Sequence, residues 1–293
     1  MPEGIIIKAL SGFYYVKNGE NVIQCRARGI FRKKKVSPLV GDSVVFEAEN
    51  PIDGYILSIN ERKNVLNRPP IANVDQALLI FSVAEPDFDD GLLDRFLVHM
   101  ESHQISSLIC LTKIDLLGVE AREKLSKRIA PYQAAGYPVL LTSSLHRDGL
   151  EDVSGLIRGR ISVITGQSGV GKSSLLNALN EQLSIDTQAI SQALGRGKHT
   201  TRHVELLPVC GGFVADTPGF SSLDFAEVEA NDLEDCFPEF RTLRDSCRFR
   251  GCTHIAEPDC AVKTARDHGQ ISEARYQHYC MFFHEISQRK KVY

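Results

Sequence analysis

Residues 161–173 read ISVITGQSGVGKS, and this stretch decides the fold. An apolar, β-branched run, Ile161 to Thr165, enters Gly166-Gln167-Ser168-Gly169-Val170-Gly171-Lys172-Ser173, and a helical pattern that opens with Ser174 (SLLNAL) leaves it. Gly-x4-Gly-Lys-Ser between a strand and a helix is a phosphate-binding loop. Its glycines let main-chain N–H groups curl around an anion, and the helix N-terminus adds partial positive charge. Residues 166–174 are therefore the expected nucleotide cradle. Lys172 would bridge the β- and γ-phosphates, and Ser173 would offer its hydroxyl oxygen to magnesium.

Two further signals flank the loop. Downstream, the strand GGFVAD (211–216) ends in Asp216-Thr-Pro-Gly219. An Asp at a strand end near a phosphate loop is placed to hold magnesium through water, and the Gly219 N–H to meet the γ-phosphate. Upstream, Thr112-Lys113-Ile114-Asp115 closes the strand LICL. GTPases carry Asn-Lys-x-Asp there: the Asp accepts two hydrogen bonds from the Watson–Crick edge of guanine, and adenine leaves it unpaired. The Lys113 stem would lie along the base, and Thr112 replaces the Asn at the loss of one amide contact. Ser143 and Ser144, at the end of the next strand, stand where a weaker guanine-contacting loop is expected. The base loops thus precede the phosphate loop, the reverse of the Ras order. Because the loops of a parallel sheet gather at the strands' C-terminal edge, a circular permutation keeps such a site intact.

From Asp75 to residue 223 near-continuous apolar strands alternate with amphipathic helices, which predicts a parallel sheet covered on both faces. Residues 1–66 differ. Five short strands punctuated by Gly, Asn and Pro predict a small barrel of OB-fold size, a frequent oligonucleotide reader. Arg26, Arg28, Arg32, Lys33, Lys34 and Lys35 cluster around the turn between its second and third strands and suit phosphate contacts. NRPPIANVD (67–75) reads as a linker, since two prolines resist helix and central strand alike.

Residues 224–293 read as a helical appendage holding Cys247-x4-Cys252-x-His254-x5-Cys260. Three thiolates and an imidazole point to one tetrahedral structural zinc per chain. Cys25, Cys110, Cys210, Cys236 and Cys280 read as buried free thiols, and His268, His278 and His284 as surface or packing residues. The expected organisation is a multi-domain α/β protein: barrel 1–66, permuted GTPase domain 67–223, zinc-binding helical domain 224–293.

Composition sets the outer limits. The chain has 293 residues, 43% hydrophobic and 24% charged, too long for one ordinary core and neither disordered nor fibrous. No apolar run approaches the ~18 residues of a membrane span, and the N-terminus lacks a signal-peptide pattern. A cytoplasmic protein with reduced cysteines is expected. Residues 1–68 hold 11 Lys and Arg against 7 Asp and Glu, residues 69–240 hold 13 against 24, and residues 241–293 hold 10 against 6. Basic ends around an acidic middle fit appendages that touch a polyanion, or simply solvated faces.

The order barrel, TKID, GQSGVGKSS, GRGKHTTR, DTPGF and C-x4-C-x-H-x5-C resembles the RsgA (YjeQ/YloQ) family of circularly permuted GTPases over nearly the whole chain. The resemblance implies a hydrolase of the GTP phosphoanhydride that is ribosome-stimulated, acts in late small-subunit maturation, holds ribosomal RNA through its barrel and zinc domain, and works as a monomer. Two other readings are a non-catalytic RNA-binding module for which GTP is only a conformational ligand, and a P-loop kinase; the TKID and DTPG motifs argue against the kinase.

The basic, glycine-flanked stretch LGRGKHTTRHVELLP (194–208) reads as the switch region, with Thr200 or Thr201 on magnesium. Phe220 occupies the place of the water-positioning Gln of Ras-like enzymes. His199, beside those threonines, is the expected catalytic group that aligns the attacking water once the loop is ordered.

Overall fold

The computed structural model describes residues 1–29, 31, 36–67, 69–180, 204–216 and 224–289, with only the backbone of Asp216. Strands β1 (Glu3–Leu10), β2 (Phe13–Asn18), β3 (Asn21–Ala27), β4 (Ser43–Ala48) and β5 (Gly54–Ile59) close a barrel in the order β1-β2-β3-β5-β4. All pairs are antiparallel except β3–β5, the OB-like arrangement. Period-two alternation builds it: Ile6, Val16, Cys25, Val44, Phe46 and Ile56 are buried inside while their neighbours face out. Arg26 lies within β3 and Arg28 just beyond it, so the basic cluster starts on the third strand and not in the turn before it.

The expected linker contains structure. β6 (Val65–Asn67) and β7 (Pro70–Ala72) form a two-stranded ribbon, with Val40 bridging to Ile71. Leu66 and Ile71 are fully buried, which supplies the reason to order, and a ribbon has free edges where the missing N–H of proline costs nothing.

A six-stranded sheet follows, built of β8 (Gln76–Ser82), β9 (Ser106–Thr112), β10 (Val139–Leu141), β11 (Ile161–Thr165), β12 (Leu206–Val209) and β13 (Gly212–Asp216). Its order is β10-β9-β8-β11-β13-β12, parallel except where β12 runs antiparallel to β13. Every residue of β8 and β11 is buried, as a sheet covered on both faces requires. Ala77, Leu79 and Phe81 meet helices α1 (Asp90–Ser102) and α2 (Val119–Ala134) on one face. Leu78 and Ile80 meet α3 (Leu150–Ile157) and α4 (Lys172–Leu179) on the other. The sequence reading assigned residues 206–208 to the switch loop. They form the edge strand β12, the one position in a sheet that tolerates Pro208.

Residues 224–289 pack as three short or medium helices, α5 (Pro238–Arg241), α6 (Ala261–Asp267) and α7 (Glu273–Gln288), around Phe237, Phe240, Tyr279 and Phe282. Val98 of α1 belongs to the same cluster. A buried ionic knot fixes this junction. The fully buried Asp94 carboxylate of α1 accepts from the Arg275 guanidinium and, at 2.6 Å, from His278 Nδ1, while Arg275 also reaches Glu239. Charges this deep persist only because each has partners. Among the described residues no helix is long and apolar enough to cross a membrane.

Candidate nucleotide site and Cys-His cluster

The parallel register brings the motif-bearing loops to one edge. Ser82 lies opposite Thr112, Leu111 opposite Leu141, Leu79 opposite Thr165, and Ile164 opposite Asp216. The loops after β8, β9, β10, β11 and β13 therefore open on the same C-terminal edge, whatever their chain order.

At the phosphate loop two glycines are dictated by geometry. A Cβ on Gly166 would stand 2.1 Å from the Ile80 carbonyl oxygen, and Gly171 turns into α4 at φ 94°. Buried Val170 anchors the loop in the core below. Lys172 Nζ donates to the carbonyls of Gly166 (2.8 Å) and Gln167 (2.7 Å), so its ammonium lies across the loop where an anion would sit. Ser173 is half-buried and Ser174 exposed on the first turn of α4.

The base loops are tied to this loop and to each other. Thr112 is buried, and its hydroxyl lies between the carbonyls of Phe81 (3.2 Å) and Val170. The residue expected on the base thus bridges β8 and the phosphate loop. Lys113 adopts a left-handed backbone at φ 62° and donates through Nζ to the Glu85 carbonyl. Asp115 accepts from the buried Ser143 hydroxyl at 2.5 Å, and that bond holds its carboxyl below the usual carboxylate range. Ile114 N–H donates to the Thr142 carbonyl at 3.3 Å, and Ser143 Oγ accepts from His146 N–H at 3.2 Å. An ionised carboxylate, fixed by a second loop beside a glycine cradle, is suited to reading paired donors on a flat base. Ser144, half-buried, follows Ser143 on the same loop.

Glu85 and Phe81 were not foreseen. They act through backbone carbonyls, which carry no residue signature.

The second constellation is closed. The ligand atoms of Cys247, Cys252, His254 and Cys260 all lie within 4.8 Å of one another. His254 Nδ1 is 3.3 Å from Cys260 Sγ and 3.7 Å from Cys247 Sγ, and Cys247 and Cys260 sulfurs are 3.9 Å apart. His254 Nε2 donates to Glu234 at 2.8 Å, leaving the Nδ1 lone pair facing the sulfurs. Tyr276 and Tyr279 hydroxyls donate to the carbonyls of His254 (2.7 Å) and Thr253 (2.9 Å). Burial pushes the Cys252 thiol up to about 12, as expected where soft donors converge with no countercharge. The donor set fits a divalent metal of zinc type. Glu234, on a 3-10 turn, was invisible to ligand spacing. Of the other cysteines Cys25, Cys110 and Cys236 are buried as expected, but Cys210 and Cys280 only half-buried.

Several expected site residues lie outside the described residues: Arg32, Lys33, Lys34 and Lys35, then His199, Thr200 and Thr201, then Gly219 and Phe220.

The sequence profile of the RsgA GTPase family matches residues 59–226, and that of the RsgA N-terminal domain matches residues 3–56. The chain belongs to the RsgA GTPase family. As a member it is a GTP hydrolase, and the order of its loops makes it a circularly permuted one. It is 58% identical over all 293 residues, covering 100% of both chains, to the small ribosomal subunit biogenesis GTPase RsgA of Shouchella clausii. The same protein of Geobacillus kaustophilus is 57% identical over 293 residues, again covering both chains. Among solved structures, YloQ, a circularly permuted GTPase, matches with TM-score 0.86 at 49% identity, covering 100% of this chain and 97% of that one. YjeQ from Thermotoga maritima matches with TM-score 0.87 at 34% identity over 99% of each.

Proposed function

We propose that this GTPase acts in late maturation of the small ribosomal subunit, hydrolysing GTP slowly alone and faster on that subunit. The observation that carries the reading is identity across the full length, barrel and Cys-His appendage included, to proteins named for small-subunit biogenesis. Conservation of the GTPase core alone would support only nucleotide hydrolysis.

In this reading Asp115 selects guanine, and Ser143 keeps its carboxylate ionised and aimed. The glycine loop 166–171 wraps the phosphates, and Lys172 leaves its two carbonyls for the β- and γ-phosphate oxygens. Ser173, Asp216 and either Thr200 or Thr201 hold magnesium, which supplies charge neutralisation at the transferred phosphoryl. His199 orients the attacking water. Cys247, Cys252, His254 and Cys260 hold one structural zinc, which cross-links the loop ahead of α6. Arg26, Arg28, Arg32 and Lys33 to Lys35 face ribosomal RNA, and the protein works as a cytoplasmic monomer.

The test is the GTPase rate of the full chain with small subunits, with large subunits and with neither. The reading expects a rise with small subunits only. Equal rates in all three would overturn it.

A further inference from the structure

The outer face of the barrel carries a row of side chains that the nucleotide site does not use. The strand register sets Phe13 of β2 opposite Arg26 of β3, and Arg26 opposite Tyr55 of β5. Cys25 and Ile56, the neighbours of Arg26 and Tyr55, are fully buried, and Tyr14, next to Phe13, packs on the core. By alternation Phe13, Arg26 and Tyr55 stand together on the outside. The Arg26 guanidinium sits 5.0 Å from the Phe13 ring centroid, and Tyr55 is 39% exposed. Past Tyr55 the row ends at Glu47 of β4, whose carboxylate is taken by Arg28. From Cys25 to Lys35 the chain contains no Asp or Glu.

We propose that the Phe13–Arg26–Tyr55 row is a stacking platform for unpaired bases of single-stranded RNA. This deepens the small-subunit reading and rests on it. Two ring faces flanking a guanidinium plane accept any base, because every base has a π-face, and the cation serves the adjoining phosphate. The row lies on the strand 2–3 face that five-stranded barrels of this order offer to oligonucleotides. With Glu47 neutralised by Arg28, no free carboxylate on the row repels a polyanion. A duplex, whose bases are stacked on one another, gains nothing from the rings.

The test measures binding of the full chain to a single-stranded RNA of about twelve nucleotides, to its duplex, and to small subunits, across a salt series. Tyr55→Ala, with an unchanged melting temperature, should weaken the single strand about tenfold while leaving the duplex and the salt slope alone. Tyr55→Phe should retain binding. Arg26→Gln should weaken binding and flatten the salt slope by about one phosphate contact. A folded Tyr55→Ala that binds the single strand like wild type overturns the platform. So does a Tyr55→Ala that loses small subunits but keeps the RNA, since the face then takes a protein. Wild-type binding and stimulation by small subunits, measured alongside, separate failure of the platform from failure of the small-subunit reading.

Discussion

The nucleotide edge and the Cys-His cluster hold their chemistry in opposite ways. At the nucleotide edge the shape is main chain: Gly166 is pressed against the Ile80 carbonyl, Thr112 joins two carbonyls, and Lys113 rests on a third. The functional side chains lie on top of that frame, with Lys172 draped over the loop it serves. At the cluster the functional side chains are the frame. Cys252, His254 and Cys260 are buried, and the irregular chain between them is pinned by Glu234, Tyr276 and Tyr279. Removing a group from the first region should therefore cost chemistry and spare the fold. Removing one from the second should cost the fold locally and spare the chemistry.

The largest expected effect is Lys172→Ala. Loss of its charge at the phosphates should cut GTP turnover by about a hundredfold or more, with the melting temperature unchanged. A variant that melts early would show that the Lys172 contacts with Gly166 and Gln167 hold up the loop, and the contrast between the regions would break.

Smaller effects are expected at the cluster. Cys252→Ser should lower hydrogen-exchange protection over residues 243–261 while nucleotide binding persists. Glu234→Gln, milder still, should lower zinc affinity by about ten- to a hundredfold, because the carboxylate fixes the His254 tautomer. Metal content after chelator titration reads this directly. A cluster variant that lost GTP affinity as well would mean that the ionic knot at Asp94 and Arg275 transmits strain to α1 and the loop before it.

The same contrast explains what the sequence displayed. The phosphate loop was legible because Gly, Lys and Ser at fixed spacing are demanded by backbone geometry and charge. The four metal-type donors were legible because cysteine and histidine in a short span have few other uses. Thr112 was misread as a base contact: its residue type fits either role, and only the third dimension brings Val170 beneath it. Glu234 lies 20 residues from His254 on a different turn, a distance no local pattern encodes. The β6–β7 ribbon and strand β12 were hidden by Pro70 and Pro208, because proline argues against central strands and says little about edges.

The central claim is that a loop early in the chain and a phosphate loop fifty residues later form one guanine-nucleotide site, so that Asp115 reads the base held over Lys172. Asp115→Asn tests it most directly, through affinities for GTP and xanthosine triphosphate measured on the same preparation. Xanthine presents an acceptor where guanine has its amino donor, so the amide should weaken GTP and strengthen the xanthosine nucleotide, inverting the preference. A variant that keeps the wild-type ratio of the two affinities would contradict the account.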